Sequence, residues 1–259
     1  MDDLKAIQNE IERLAYERFR NIDCSEYFTY PLVPRISEEY LKNRVVVMGQ
    51  ETNTWYGHID NPEKRENFLE GSLAEYDRFV REKAASYRGK FWQFSRSLYK
   101  REILDGSIRN GNWLSHCWMN LFCIEKSAYR GDKKKNLPSQ NRDLANRVIE
   151  IQQDFVFQVL CLIRPKVVLA LIGNDNDDLF KKYALGTEDV RSISVDSSNV
   201  FGERELAEFK VCERNNPLYE TLILRTYHPT FFMWKMGGRE KRDLYRNLIY
   251  DRIQSFLKK

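Results

Sequence analysis

The sequence predicts an α/β fold built around a central, mainly parallel, four-stranded sheet. Three observations carry this expectation. Four short runs of Val, Ile, Leu and Met are too apolar for a solvent-facing side and read as strands buried on both faces. Stretches with apolar residues three and four apart lie between them and read as amphipathic helices. Strands and helices alternate through most of the chain, as parallel strands joined by crossovers require.

Taken in order, residues 3–20 place Leu4, Ile7, Ile11, Leu14 and Tyr16 at helical spacing, with Asp2 or Asp3 as the cap. A loop with Pro31 and Pro34 follows. Residues 44–48 form a β-branched run ended by Gly49, the first strand. Residues 63–85 and 90–103 read as helices, parted near Tyr87, Arg88 and Gly89. A second apolar run covers residues 118–124. Residues 142–163 read as one long helix with Leu144, Val148, Ile151, Phe155, Val159 and Leu162 on one side, stopped by Arg164 and Pro165. Residues 167–172 are the third strand, ended by Gly173, with a helix expected at 175–184. Residues 186–220 are mixed and polar, a hairpin or an irregular insert. Residues 221–226 are the fourth strand, running into Tyr227, His228 and Pro229, and a final helix spans 239–257. No repeat, low-complexity tract or linker divides the chain. Residues 1–259 are therefore expected to form a single domain, with residues 1–41 as an N-terminal helical extension.

Composition narrows the function classes. The 259 residues carry 42 Lys and Arg against 38 Asp and Glu, a formal net charge of +4. That balance excludes a histone-like tail and an acidic disordered chain. A nucleic-acid partner fits if the positive charge is gathered on one face. Five cysteines are scattered without a Cys-x-x-Cys pair, which argues against a structural zinc or an iron–sulfur cluster and suits a reducing cytoplasm. No apolar run reaches about 18 residues and the N-terminal helix is acidic, so neither a membrane span nor a signal peptide is read.

In open α/β sheets, sites collect at the carboxyl ends of strands. The first strand ends in Gly49-Gln50-Glu51-Thr52-Asn53-Thr54-Trp55-Tyr56, the second run holds Met119-Asn120, and the fourth ends in Tyr227-His228-Pro229-Thr230. A carboxylate, an amide and an imidazole are thus expected at one rim. In this order, over roughly residues 42–257, these segments resemble the uracil-DNA glycosylase superfamily. Its first motif is a strand followed by Gly-Gln-Asp-Pro-Tyr-His or Gly-Ile-Asn-Pro-Gly. Its middle strand ends in Leu-Asn, and its last motif is a strand followed by His-Pro-Ser-Pro.

The resemblance implies a three-layer α/β/α fold and a monofunctional DNA glycosylase. Glu51 falls where the family positions or activates the attacking water, and Asn53 can share that role. His228 falls where the departing base is stabilised through its O2 oxygen. Asn120 falls on the base-reading amide, and Gln50 where a backbone amide meets the base. Thr230 falls near a serine that touches a DNA phosphate, and Phe232 and Met233 lie where an apolar wedge enters the duplex. Trp55, Tyr56, Phe91 and Trp92 are candidates for the platform under the flipped base. Lys133, Lys134 and Lys135, after the base-reading strand, are candidate phosphate contacts. The implied partner is DNA, double- or single-stranded, bound by a monomer without metal or organic cofactor.

The departures from the family pattern have consequences. Thr52 replaces a proline, Phe231 replaces the second proline of the last motif, and Asn53 replaces the Tyr that excludes C5-substituted pyrimidines in uracil-specific members. A C5-modified pyrimidine, such as hydroxymethylcytosine or its glucosylated form in phage DNA, is therefore expected to fit, besides uracil. Genome repair and defence against modified phage DNA are both compatible with this.

Each residue also has a plainer reading. Gly49 can be a turn glycine, Glu51 and Asn53 can cap the next segment, and His228 can be satisfied beside a turn proline. Asn120 can bond a neighbouring backbone, the lysines can be a solvated loop, and residues 231–234 can be a helix-entry contact. Two other function classes follow from those readings: a nucleic-acid binder on the same fold without catalysis, and a small-molecule nucleoside hydrolase.

Overall fold

The computed structural model describes residues 2–51, 57–126, 137–197 and 200–258. The first helix, α1 (Asp2–Phe19), leads through a loop to a short α2 (Glu38–Asn43) and then β1 (Val45–Gly49). After β1 come α3 (Pro62–Glu66), α4 (Phe68–Arg78) with a wider π turn at Phe79–Lys83, and α5 (Lys90–Lys100). Next are β2 (Cys117–Asn120), α6 (Arg142–Gln152), α7 (Phe155–Ile163), β3 (Val167–Ala170) and α8 (Asp177–Ala184). The chain closes with β4 (Val190–Ser194), β5 (Leu206–Val211), β6 (Leu222–Thr226), a π turn at Phe231–Lys235 and α9 (Arg239–Leu257).

Among the described residues, six strands form one mixed sheet in the order β2-β1-β3-β6-β5-β4. The expected four-stranded sheet is thus too small. Strands β2, β1, β3 and β6 are mutually parallel, and the segment after α8 folds as a hairpin that adds β5 and β4 antiparallel beside β6. The hairpin is hard to read because β4 is an edge strand of half-buried residues, Val-Arg-Ser-Ile-Ser, without a continuous apolar run. Arg225 of β6 anchors it. The guanidinium is almost fully buried, donates to the carbonyls of Glu203 and Arg204 at 2.6 and 2.7 Å, and pairs with Asp177 at 2.8 Å. It also lies over the ring of Phe209 in β5. A buried cation needs all of these partners to offset its lost hydration.

Helices cover both faces of the sheet, and the alternation of strand side chains sorts the two cores. Val46, Met48, Val168 and Ile223 point into a core shared with Ile11, Leu14 and Phe19 of α1, Val148 of α6, Phe155 and Val159 of α7, and Phe180 of α8. Val45, Val47, Leu169 and Leu224 point the other way, against Phe94 and Leu98 of α5 and Tyr245, Ile249 and Ile253 of α9. Helix α1, expected as an extension, supplies part of the first core.

The helix expected over 142–163 is two helices. Gln153 takes a positive φ of 49° between them, and no proline or glycine marks the break. The neighbouring Gln152 is fully buried, accepting from the Cys123 N–H at 2.9 Å and donating to the Leu121 carbonyl at 2.8 Å. Its amide ties the end of α6 to the chain leaving β2.

His116, at the start of β2, is buried, with the Tyr99 hydroxyl 2.7 Å from its Nδ1 and no partner for Nε2 among the described residues. Burial drives its pKa from 6.5 down to about 3, so the folded chain holds it neutral. The unfolded chain binds the proton first, so this contribution to stability is complete above about pH 6.5 and is lost as the pH falls. Denaturant unfolding from pH 7.5 to 4.5 should show wild type losing stability relative to His116→Gln, by up to about 1.4 kcal/mol per pH unit. Parallel curves for the two chains would contradict a neutral buried imidazole.

Candidate active site

The parallel strands deliver their carboxyl ends to one edge of the sheet. Gly49 of β1 pairs with Asn120 of β2, and the ladder runs one step further, with Leu121 N–H to Gly49 O at 2.9 Å and Phe122 N–H to Gln50 O at 2.8 Å. On the other side of β1, the Gly173 N–H after β3 donates to Thr226 O at the end of β6, at 2.9 Å. Gln50, Glu51, Asn120, Gly173, Tyr227 and His228 are therefore all placed by the ends of adjacent strands.

Gly49 is not a turn residue. It belongs to the ladder and its φ is not positive. Glycine is needed there for space: a Cβ would lie 2.6 Å from Asn120 Oδ1 and 3.3 Å from a ring carbon of Phe91. The buried Asn120 amide and the Phe91 ring thus meet over the bare Gly49 backbone. Phe91 comes from the first turn of α5 and packs edge-on against Trp92 at 5.4 Å. Trp92 itself is buried among Phe79 and Trp118, so it belongs to the core and cannot serve as a platform. Of the two candidates among the described residues, Phe91, half-buried, remains.

The Gln50 side chain is anchored just past the end of β3, its Nε2 donating to Ile172 O at 2.7 Å. Beside it is Gly173, where a Cβ would sit 3.8 Å from Gln50 Nε2 and 3.9 Å from the Tyr227 ring. Tyr227 lies against Phe231, with the rings tilted by 39° and their centres 4.3 Å apart.

Glu51 is held at both oxygens by one residue. Ser139 donates its N–H to Oε2 at 3.1 Å and its hydroxyl to Oε1 at 2.7 Å. Burial pushes the Glu51 pKa up to about 7, the Glu125 charge adds to the rise, and the two Ser139 bonds oppose it. Burial acts on His228 in the opposite direction and lowers it to about 4. His228 Nδ1 accepts the Thr230 N–H at 3.3 Å. In a neutral ring with Nδ1 accepting, the proton resides on Nε2, which makes that atom a donor.

Not every expected site residue is where the sequence places it. Phe232 is fully buried, edge-on to Phe94 at 5.1 Å and against Tyr245, so it is a core residue and no wedge. Met233 is half-buried and Thr230 exposed, which keeps both at the surface. Asn53, Trp55, Tyr56, Lys133, Lys134 and Lys135 lie outside the described residues. Ser139 and Glu125 are the residues that sequence reasoning missed. Pro138 and Asn141 mark a helix start, but nothing in the sequence links Ser139 to a carboxylate 88 positions earlier.

No model of a known protein family matches the chain. No curated protein matches it in sequence either. The site is therefore read from its own geometry. That geometry supplies a carboxylate of near-neutral pKa, a neutral imidazole with an Nε2–H donor, a buried amide and an aromatic face. Such a set can take a proton from water, stabilise a departing anion and hold a planar ring. Among the described residues, no cluster of three or more His, Cys, Asp or Glu is arranged to hold a metal ion.

The close approach over Gly49 is testable. Gly49→Ala should cost about 1–3 kcal/mol of stability by overpacking. Because the added methyl strikes the Asn120 side chain, the double substitution Gly49→Ala/Asn120→Ala should cost measurably less than the sum of the single changes in urea unfolding. Strict additivity would rule out the contact.

Proposed function

We propose that this protein is a DNA glycosylase that hydrolyses the N-glycosidic bond of a flipped base. The observation that carries the reading is the placement of Glu51, Asn120 and His228 at the carboxyl ends of the parallel strands β1, β2 and β6 on one edge of the sheet, with the Phe91 ring and the Asn120 amide against Gly49. The parallel strands of the sheet and the helices on both its faces are compatible with the layered fold that the resemblance to the uracil-DNA glycosylase superfamily implies.

In this mechanism Phe91 stacks on the extruded base and the Asn120 amide bonds its edge. As the glycosidic bond lengthens, positive charge grows on the sugar and negative charge on the base. The Glu51 carboxylate favours the first and accepts a proton from the attacking water. The His228 Nε2–H donates to a base oxygen and favours the second. The C1′–N bond breaks with its electron pair leaving on the base, and the water oxygen bonds C1′. The substrate class we favour is a pyrimidine with room at C5, such as hydroxymethylcytosine or its glucosylated form, or uracil, since Asn53 replaces the residue that would crowd that position.

The test is a set of DNAs containing uracil, hypoxanthine, thymine mismatches, hydroxymethylcytosine and glucosylated hydroxymethylcytosine, with released bases identified by mass spectrometry. At least one should yield free base and an abasic site. Glu51→Gln and His228→Ala should each lower the rate about 10²–10³-fold. The rate should rise with pH through about 7, where the Glu51 carboxyl ionises, because the base works only when deprotonated. His228, neutral down to about pH 4, should not set that limb. No release from any DNA at enzyme excess would refute the proposal.

A further inference from the structure

We infer that Ser139 is a positioning residue for this hydrolysis: its N–H and hydroxyl hold the two oxygens of the Glu51 carboxylate and set which of them receives the proton of the attacking water. The role presupposes Glu51 as the base proposed above.

Both bonds come from a single residue on a firmly seated turn. Ser139 is the middle residue of the 3-10 turn Pro138–Gln140, Pro138 is buried, and the next residue, Asn141, caps α6 by accepting the Leu144 N–H at 3.1 Å. The start of a helix therefore aims the clamp. An ionised carboxylate offers about four lone-pair directions, and Ser139 occupies two, one on each oxygen. The other directions are not taken by Ser139 and suit the attacking water. Among the described residues, the charged group bearing on Glu51 is Glu125, itself buried, whose repulsion disfavours ionisation. With a like charge and partial burial against it, the carboxylate draws on Ser139 for hydrogen bonds that favour the charged form.

The two bonds are not equivalent. A backbone N–H can only donate and bonds best to a carbonyl-type oxygen, which favours Oε2 as the unprotonated oxygen of the acid. A hydroxyl can donate or accept. When the water O–H bond breaks, its proton goes to the open lone pair of Oε1, and the remaining oxygen bonds C1′ as the base leaves with the glycosidic electron pair.

The experiment compares wild type, Ser139→Ala and Ser139→Thr by two readouts. One is the pH–rate profile of base release. The other is the 13C titration of the Glu51 side-chain carboxyl in glutamate-labelled protein, assigned with Glu51→Gln, which needs no activity. Ser139→Ala should raise the midpoint by about one pH unit in both. It should cut kcat about tenfold at pH 6.5 with KM unchanged. Ser139→Thr keeps the hydroxyl and should titrate as wild type. An unshifted Ser139→Ala, or a Ser139→Thr shifted as far as Ser139→Ala, would overturn the clamp. A shifted titration in a protein that releases no base from any DNA would uphold the clamp and refute the glycosylase reading. Base release with an unmoved titration would do the reverse.

Discussion

Strands β1 and β2 run parallel and in register, so that Gly49 and Asn120 stand side by side at the edge of the sheet. The missing side chain at Gly49 lets the Asn120 amide fold over the backbone and lets Phe91 close against it. Much else follows from that close approach. It sets where α5 enters, because Phe91 is in its first turn. It also explains why the aromatic cluster of Trp92, Trp118 and Phe79 lies directly behind the site, packed as core. Any Cβ at Gly49 would push on the amide, the ring and the cluster together, and a close-packed interior transmits such a displacement.

The site's two ionisable groups are displaced toward neutrality by one physical cause acting with opposite signs. Burial disfavours the charged form, which raises Glu51 to about 7 and lowers His228 to about 4. Each keeps a defined hydrogen-bond partner, Ser139 for the carboxylate and the Thr230 N–H for the imidazole. Fixed donors at a partly buried site act on developing charge more strongly than they would in water. The arrangement suits chemistry in which charge appears only as a bond breaks.

The hairpin β4–β5 shows how a single buried charge can organise a distant part of the fold. Arg225 lies in the interior strand β6, yet its partners are the turn before β5, the ring of Phe209 and Asp177 of α8. Losing one partner would leave a charge without compensation in the core, so the hairpin, α8 and β6 are held as a unit. An arginine inside an apolar run gives no hint of those partners in the sequence, because they are assembled from three separate segments.

The parallel strands and most of the helices were legible because their signals are local. The runs at 45–49, 167–170 and 222–226 can be buried only on both faces, and α9 matches its apolar spacing over its full length. The placement of Gln50, Glu51, Asn120 and His228 at one edge was legible too, since parallel strands bring their carboxyl ends together. The break at Gln153, the choice of a hairpin over an irregular insert and its place in the sheet, the core position of Phe232 and the Ser139 clamp were not. Phe232 belongs to a short apolar stretch whose spacing fits a surface wedge as well as a core contact, and only the packing of α5 and α9 decides between them. By itself, the sequence determined that strands would alternate with helices and which polar residues would follow the strands. The tertiary structure alone decided which of those residues meet, how far burial moves their pKa values, and that Ser139 answers Glu51, because contacts between distant segments leave no periodic trace in the chain.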